Sequence, residues 1–214
     1  HRIDQNHFGP RPPLGRNGGE TIRVGTSDVS MSESATLVEG NYFAGCDGEI
    51  EVISNKSCGN AYRHNTFVAC AGTLTLRHGN RCSVEGNWFF GNGKKGSGGV
   101  RIIGEDHRIS NNYLAGLEGD GPRSAISFQM GIPHSPLHGY FQVKRAKVAS
   151  NTIIDCKSPL AIGVADGDSS NLLAIVGCEI ANNLIVCRKG LPPIALMDPR
   201  SQIHWAGNLV SAAP

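Results

Sequence analysis

The sequence has few aromatic residues, little charge and no long apolar run. Aromatic residues make up 6% and charged residues 18% of its 214 residues. No apolar stretch approaches the roughly 18 residues that indicate a membrane-spanning helix, so no membrane span is predicted. The net charge of +2 creates no global field that would favour nucleic acid or a membrane surface as a partner. The oligomeric state stays open.

Paired metal-binding cysteines are also missing. The chain has seven cysteines but no CxxC motif, which argues against a zinc site. Four of the seven are equally spaced, twelve residues apart: Cys46, Cys58, Cys70 and Cys82. An odd number at equal spacing indicates buried, reduced cysteines that stack in a repeat, and not a disulfide framework.

A recurring motif of asparagine, any residue and a large apolar residue is abundant instead. It begins at Asn6, Asn41, Asn65, Asn87, Asn112, Asn151, Asn183 and Asn208. Most short intervals are close to 24 residues, and the three longer ones can each hold an insertion. Short β-prone runs such as TLTLRHGN lie between glycine, asparagine and serine, while helical periodicity is nearly absent.

This repeat predicts an all-β fold, a parallel β-helix with rungs of about 24 residues. We expect one domain over residues 1–214, with the asparagines stacked at equivalent corners. A leucine-rich repeat would need a leucine ladder, and a β-sandwich would not keep one interval through the chain. The opening HRIDQNHFGP predicts a fragment that begins inside the coil and lacks N-terminal rungs.

A 24-residue rung allows neighbouring strands to be overlaid. The predicted pairs are Glu49 on Thr73, Glu51 on Thr75, Ile53 on Arg77 and Arg77 on Arg101. Because strand side chains alternate between two faces, one outward face would be shared by Glu49, Glu51, Thr73, Thr75, Arg77, Gly99 and Arg101. Arg23 has the same parity in an earlier rung. Lys56 would lie beyond the strand end, at the turn, one rung below Arg77.

Two carboxylates on one outward face offer two kinds of chemistry. Glu49 and Glu51 would lie ~7 Å apart at Cα. Oxygen ligands suit Ca²⁺, and Asn17 in the adjacent rung can add an amide oxygen. The alternative is the acid and base pair of a glycoside hydrolase, which needs one carboxyl with a raised pKa. The nearby Lys56 and Arg77 favour ionised carboxylates, so we expect calcium.

The position of Lys56 beside cationic groups predicts that this residue acts as a base. Lysine accepts a proton only when it is neutral, and a neighbouring cation favours that form. The same cation would neutralise the carboxylate of a uronic acid and make its C5 proton more acidic. Lys56 could then remove this proton while Arg77 assists departure of the O4 leaving group. The residues therefore predict β-elimination, the reaction of a polysaccharide lyase.

Four stretches strongly resemble polysaccharide lyase family 6, which contains alginate lyases and chondroitinase B. They are NGGETIRVGTS, CDGEIEVISNKSC, TLRHGN and GGVRIIGEDHRISNNYLAGL, and the similarity runs from about Arg2 to about Cys156. The resemblance implies a right-handed parallel β-helix and calcium-assisted β-elimination. The implied roles are general base for Lys56, leaving-group partner for Arg77, and calcium ligands for Glu49, Glu51 and Asn17.

The resemblance also implies a substrate-binding role for side chains near the groove. These are His78, Arg101 and His107, and we add Arg23 because it shares the outward face. For His107, a hydrogen bond within a turn is an equally good interpretation.

The expected substrate is alginate. The segments SFQMGIP and YFQVKRAKVASNTIIDC resemble alginate-acting members of the family more than chondroitinase B. One alternative is a lyase of dermatan or chondroitin sulfate, with the Lys94–Lys95 loop as a sulfate pocket. Another is a non-catalytic β-helix that binds polysaccharide and has no need of Lys56 and Arg77. Because alginate is an extracellular polymer, we expect a secreted or periplasmic location.

Overall fold

The computed structural model describes residues 1–166 and 172–212, and almost all of its regular structure is β-strand. Within these residues the only helical elements are two 3-10 turns, Ser27–Val29 and Gly121–Arg123. No helix in this described part is long and apolar enough to cross a membrane. The secondary structure therefore agrees with the predicted all-β class.

Three parallel sheets run along the coil, and successive rungs add one strand to each. Sheet 1 contains β1 (Arg2–Asp4), β4 (Leu37–Glu39), β7 (Ala61–Arg63), β10 (Ser83–Glu85), β13 (Arg108–Ser110), β16 (Lys147–Ala149), β19 (Cys178–Ala181) and β22 (Ile203–Ala206). Sheet 2 contains β2 (His7–Phe8), β5 (Tyr42–Ala44), β8 (Thr66–Val68), β11 (Trp88–Phe90), β14 (Tyr113–Ala115), β17 (Thr152–Ile154), β20 (Leu184–Cys187) and β23 (Leu209–Ala212). Sheet 3 contains β3 (Ile22–Val24), β6 (Glu51–Lys56), β9 (Thr73–His78), β12 (Val100–Ile102), β15 (Ile126–Gln129), β18 (Leu160–Val164) and β21 (Ile194–Leu196).

This topology is the predicted right-handed parallel β-helix. Every strand pairs with its counterpart in the next rung, so the backbone hydrogen bonds run along the coil axis. The longer asparagine intervals do hold insertions, in the segments between β2 and β4, between β15 and β16, and between β18 and β19. The first two of these insertions supply part of the cleft described below.

The interior is built from side chains that repeat at equivalent rung positions. Phe8, Phe43, Phe67 and Phe89 stack with ring centroids 4.6–4.8 Å apart. All seven cysteines are buried and none forms a disulfide, as predicted. The Cys46 amide donates to the Cys70 sulfur at 3.4 Å, so the 24-residue cysteine spacing does correspond to one rung. Stacking of like residues thus fills the core.

The asparagines form a continuous ladder at the corner between sheets 1 and 2. In each step the backbone amide of one asparagine donates to the side-chain oxygen of the next, at 2.9–3.0 Å. The side-chain amide also donates to that oxygen, and a second bond goes to a backbone carbonyl, as Asn65 does to Val38. The predicted ladder is confirmed from Asn6 to Asn208.

The predicted 24-residue overlay is wrong in sheet 3. The observed partners of β6 and β9 are Glu51 and Thr73, Ile53 and Leu74, Ser54 and Thr75, Asn55 and Leu76, and Lys56 and His78. Arg101 pairs with Thr75 and not with Arg77. Ile53 is fully buried in the core, and Lys56 is the last residue of β6 and not part of the following turn.

Two shifts of register cause these differences. Val52 is an extra residue on β6, and Arg77 is an extra residue on β9. Val52 and Ile53 consequently both enter the core, and the outward positions of β6 change from odd to even residue numbers. Bulges of this kind re-aim side chains, and they are common beside functional sites.

Candidate active site

A cleft of about 890 Å³ lies over the outward face of sheet 3. It is closed on one side by the segment that contains Pro13–Asn17 and on another by His138 and Tyr140 from the insertion between β15 and β16. Seven of the nine predicted site residues line it: Asn17, Glu49, Glu51, Lys56, Arg77, His78 and Arg101. The structure therefore brings together most of the residues singled out from the sequence.

The register shifts explain how Glu51 and Lys56 reach one cleft. In a regular strand, two residues five positions apart face opposite sides of the sheet. The extra residue Val52 reverses the alternation between them, so both side chains reach the outward side. The second shift places Lys56 opposite His78, with Arg77 unpaired between Leu76 and His78. The cleft depends on these two irregularities.

Three carboxylates meet beside the cleft, and two of them, Glu49 and Glu51, line it. Ligand oxygens of Glu20, Glu49 and Glu51 all lie within 4.8 Å of one another. Burial raises the pKa of Glu49, and the charges of Glu20 and Glu51 raise it further. Burial also raises the pKa of Glu20, but hydrogen bonds with Arg23 and with its own backbone, together with the charges of Arg23 and Lys56, outweigh this effect and leave that pKa below its usual value. The cluster thus carries negative charge that its neighbours only partly compensate.

Glycines let the backbones that carry these carboxylates approach each other. A Cβ at Gly19 would lie 2.3 Å from the Gly48 carbonyl oxygen, and a Cβ at Gly48 would lie 2.0 Å from the Gly19 oxygen. No other residue type fits this contact. Glu20 follows Gly19 and Glu49 follows Gly48, so the close approach brings the two carboxylates together.

Arg77 is held on several sides. Its Nη1 donates to the Gly139 carbonyl at 2.7 Å, and its Nη2 donates to the His138 carbonyl at 3.1 Å. Its Nε lies 3.7 Å from a Glu51 oxygen, and its side chain is 16% exposed. Burial lowers the pKa of Arg77, although the group stays far from neutral at physiological pH. The guanidinium is therefore a fixed positive charge in the cleft wall.

His78 is a neutral imidazole with a defined tautomer. Burial, followed by the charges of Arg77 and Lys56, lowers its pKa to about 4. Arg77 Nη1 lies 3.0 Å from Nε2 and can only donate, so Nε2 accepts and Nδ1 carries the proton. Nδ1 is buried without a partner in the part of the chain that the structure describes. Such a donor is costly to leave unsatisfied.

Lys56 and Arg101 complete the cationic part of the cleft. Lys56 is half-buried, and its ammonium makes no hydrogen bond or ion pair within residues 1–166 and 172–212. Arg101 is nearly buried, and its Nε and Nη2 donate to the Gln129 side-chain oxygen at 3.2 and 2.7 Å. Lys56 is thus the more available of the two for chemistry, whereas Arg101 is positioned by its neighbour.

Two predicted substrate-binding residues do not line the cleft. Arg23 lies on β3 with its side chain 41% exposed and forms an ion pair with Glu20 at 2.7 Å. His107 is fully buried: its Nδ1 accepts from the Cys82 amide at 3.1 Å, and its Nε2 donates to the Ile103 carbonyl at 2.9 Å. The turn hydrogen bond is therefore the observed arrangement for His107, which has no surface that a substrate could reach.

Sequence reasoning missed Glu20 and Tyr140. Glu20 lies inside the quoted motif NGGETIR, and a correct overlay of Ile22 on Ile53 would have placed it beside the other carboxylates. Tyr140 lies in the insertion between β15 and β16, and its ring stacks on Arg77 at 4.2 Å from the guanidinium carbon. Tyr140 begins the quoted segment YFQVKRAKVASNTIIDC, but it lies in an insertion, where no repeat register predicts what a side chain contacts.

The carboxylate cluster suits a hard divalent cation. The donor set consists only of oxygens, from Glu20, Glu49 and Glu51, and Asn17 lines the same cleft. After burial, the charges of Glu20 and Glu51 contribute to the raised pKa of Glu49, and a bound cation would offset their repulsion. Carboxylate and amide oxygens without sulfur or imidazole are typical Ca²⁺ ligands. The residues present therefore fit the calcium site expected from the sequence.

Comparison with known proteins gives a consistent result. The sequence profile of the chondroitinase B family matches residues 1–189. No curated protein sequence matches the chain. Among solved structures, the family 6 alginate lyase AlyGC is 46% identical with a TM-score of 0.94, over 98% of this chain and 29% of that one.

Two further structures extend this similarity. A mannuronic acid specific family 6 lyase from human gut microbiota is 32% identical with a TM-score of 0.80, over 100% of this chain and 44% of that one. The alginate lyase AlyF-OU02 is 27% identical with a TM-score of 0.86, over 98% of this chain and 52% of that one. This chain thus spans from less than a third to about half of the length of the three structures.

Proposed function

Because this chain belongs to polysaccharide lyase family 6, which includes chondroitinase B, we propose that it cleaves alginate by β-elimination in the cleft of sheet 3. The observation that carries the proposal is the placement of Lys56. Its ammonium is unpartnered within the described residues and lies in one cleft with the fixed guanidinium of Arg77 and with the carboxylates of Glu49 and Glu51. Glu20 completes a cluster of three carboxylates with these two. A base, a fixed cation and an oxygen-rich metal site are the parts that elimination from a uronic acid requires.

The chain's own residues divide the work in the following way. Lys56 takes the proton from C5, the C5–H electrons form the C4–C5 double bond, and the C4–O4 bond breaks with its electron pair leaving on O4. Arg77 stabilises the negative charge that develops and assists the departure of O4, because its charge is already fixed in place.

Substrate binding would use the donors that the cleft leaves available. Glu20, Glu49, Glu51 and Asn17 would hold Ca²⁺, which when bound would neutralise the uronate carboxylate and make the C5 proton more acidic. His78, which lines the cleft, would contact the substrate, and Arg101 would contribute positive charge that favours an anionic polymer. We also propose a secreted or periplasmic location, because alginate is an extracellular polymer.

A lyase of sulfated glycosaminoglycan remains the second candidate, since chondroitinase B gives the matching profile its name. It would need an additional basic pocket for sulfate. Lys94 of the predicted pocket forms an ion pair with Asp47, and Lys95 forms a β-bridge with Glu118. The engagement of Lys94 favours alginate over a sulfated substrate.

A substrate panel tests the proposal. The chain is assayed with alginate, its mannuronate and guluronate blocks, and dermatan sulfate, and the unsaturated product is followed by its ultraviolet absorbance. We expect product from alginate, a loss of at least ~10³-fold in Lys56→Ala, and a marked loss after EDTA treatment that added Ca²⁺ reverses. The matched control is Lys147→Ala, which removes an exposed lysine from sheet 1.

The other outcomes would each reject part of the proposal. Product from dermatan sulfate alone would favour the second candidate. Binding of alginate without product would indicate a non-catalytic β-helix. Full activity in Lys56→Ala would remove Lys56 from its role as base, and full activity after thorough chelation would remove calcium from the reaction.

A further inference from the structure

The insertion between β15 and β16 forms a closed loop, residues 131–142, beside the cleft. At its base the Ile132 amide donates to the Tyr140 carbonyl at 2.8 Å. Gly131 forms an antiparallel bridge with Leu173, and the Gln142 side chain donates to the Ala174 carbonyl at 2.8 Å. These bonds anchor the loop to the next insertion, so the residues that it presents to the cleft are held in place.

This loop supplies three of the contacts that hold Arg77. Two are the carbonyl oxygens of His138 and Gly139, which accept from the guanidinium. The third is the Tyr140 ring, whose centroid lies 4.2 Å from the guanidinium carbon. Arg77 lies on β9, two strands away from β15 in sheet 3, so a remote insertion determines the orientation of a central cleft residue.

The same ring lies against a second cation. The guanidinium carbon of Arg101 is 5.4 Å from the Tyr140 centroid. The side chains of Arg77 and Arg101 are only 16% and 4% exposed, so solvent screens their mutual repulsion poorly. An aromatic face is electronegative and attracts cations, most strongly where water is excluded. One ring therefore lies close to both charges.

Resting on the proposed function, we propose that Tyr140 is a positioning residue whose ring holds the guanidiniums of Arg77 and Arg101 as a pair with fixed spacing. The pair would then be in place before the substrate arrives, so that Arg77 faces the position where charge develops on the leaving oxygen. Preorganised charge of this kind lowers the barrier of the chemical step more than it strengthens substrate binding. Loss of the ring should consequently reduce kcat more than it raises KM.

The ring, and not the hydroxyl, carries this role. The Tyr140 hydroxyl engages Asp166, which lies at the end of β18 and is about half exposed. Phenylalanine keeps the aromatic face and loses only the hydroxyl contact. Leucine keeps a similar apolar volume and loses the face. The two substitutions separate cation stacking from simple filling of space.

The first test is steady-state kinetics on the polymer that the wild-type chain cleaves. We expect Tyr140→Phe to stay within ~3-fold of wild type, and Tyr140→Leu to lose ~10- to 100-fold in kcat with KM changed by less than ~3-fold. The matched control is Tyr113→Leu, which removes a tyrosine from the outward face of sheet 2. An equal loss in the Phe and Leu variants, or a Leu effect confined to KM, would overturn the proposal.

The second test does not require activity. In ¹H–¹⁵N spectra of the arginine side chains, the ring should shift the Hε signals of Arg77 and Arg101, assigned from Arg77→Lys and Arg101→Lys. We expect both shifts to persist in Tyr140→Phe and to disappear in Tyr140→Leu; unchanged signals in the Leu variant would contradict the pairing. If the wild-type chain cleaves none of the polymers, the proposed function fails, while these spectra still decide whether the ring holds the pair.

Discussion

The asparagine ladder between sheets 1 and 2 repeats one contact along the whole coil, whereas the cleft face of sheet 3 does not repeat its contacts. Each ladder asparagine bonds to the next in the same geometry, from Asn6 to Asn208. On the cleft face, register shifts, close glycine contacts and an insertion loop each occur at a particular rung. The regular region sets the fold, and the departures from regularity set the chemistry.

Breaking the ladder should give the largest effect on stability. Asn87→Ala removes the acceptor for two donors of Asn65 and leaves the Tyr62 carbonyl without its donor, all of them buried. Because each unsatisfied buried group costs ~1–3 kcal/mol, we expect a loss of about 4–6 kcal/mol in the free energy of unfolding, measured by chemical denaturation.

The ladder's exposed end provides the control for this measurement. Asn6 is solvent-exposed, and water can replace its partners, so Asn6→Ala should cost no more than about 1 kcal/mol. Equal losses at Asn6 and Asn87 would contradict the view that burial of the ladder is what makes it stabilising.

His107 should give an intermediate, pH-dependent effect that assigns it to the scaffold. Burial lowers its pKa to about 4, against about 6.5 in the unfolded chain. Between these values the unfolded state binds more protons than the folded state, so stability falls as the pH falls. Through His107, the free energy of unfolding should therefore fall by about 2 kcal/mol between pH 7 and pH 5.

The measurement compares denaturation of wild type and His107→Gln at the two pH values. His78 has a similarly low pKa and remains in both proteins, so the difference between them isolates His107. The variant should lose this part of the pH dependence and keep its KM at pH 7. A KM that rises while the pH dependence of stability stays unchanged would return His107 to a substrate-binding role.

Relieving the repulsion among the carboxylates should give the smallest change, and one of opposite sign. Burial and the charges of Glu20 and Glu51 disfavour the ionised form of Glu49. In EDTA, Glu49→Gln should therefore raise the free energy of unfolding by about 0.5 kcal/mol, a value reduced by solvent screening of this part-exposed group.

Added Ca²⁺ should reverse the order of stability of the wild type and Glu49→Gln. Added Ca²⁺ should raise the thermal midpoint of the wild type more than that of Glu49→Gln, because the variant lacks one charged ligand. Lyase activity should fall in the variant although the cation-free protein is more stable. Equal stabilisation of both proteins by Ca²⁺ would show that Glu49 is not a ligand.

The sequence was sufficient for the fold because the ladder and the stacked core are periodic. The spacing of the eight asparagine motifs predicts the rung length and the sites of insertion, and the motif itself marks the corner between sheets 1 and 2. The pairing in sheet 3 was not predictable in this way, since Val52 and Arg77 each break the period by one residue. The overlay therefore misplaced Ile53 and Lys56 while the list of cleft residues from the motifs stayed largely correct.

Contacts made by the insertions were the second feature that could not be predicted from the sequence. Tyr140 contacts Arg77 across 63 positions of sequence through a loop without repeat structure, and no periodic signal links them. His107 shows the reverse case: it follows a strand of the cleft sheet, yet its ring turns into the corner and satisfies two backbone groups. Motif position suggested that His107 lies near the groove, whereas no repeat register linked Tyr140 to Arg77, and only the fold decides which side chain reaches the cleft.

The two register shifts between β6 and β9 have opposite senses, and they cancel. Five steps separate Glu51 from Lys56 on β6, and five steps separate their partners Thr73 and His78 on β9. After the second shift, β6 and β9 therefore regain the alignment that they had before the first. The pairing of the neighbouring rungs is not changed. A site built in this way can change the direction of individual side chains locally without altering the pitch of the coil.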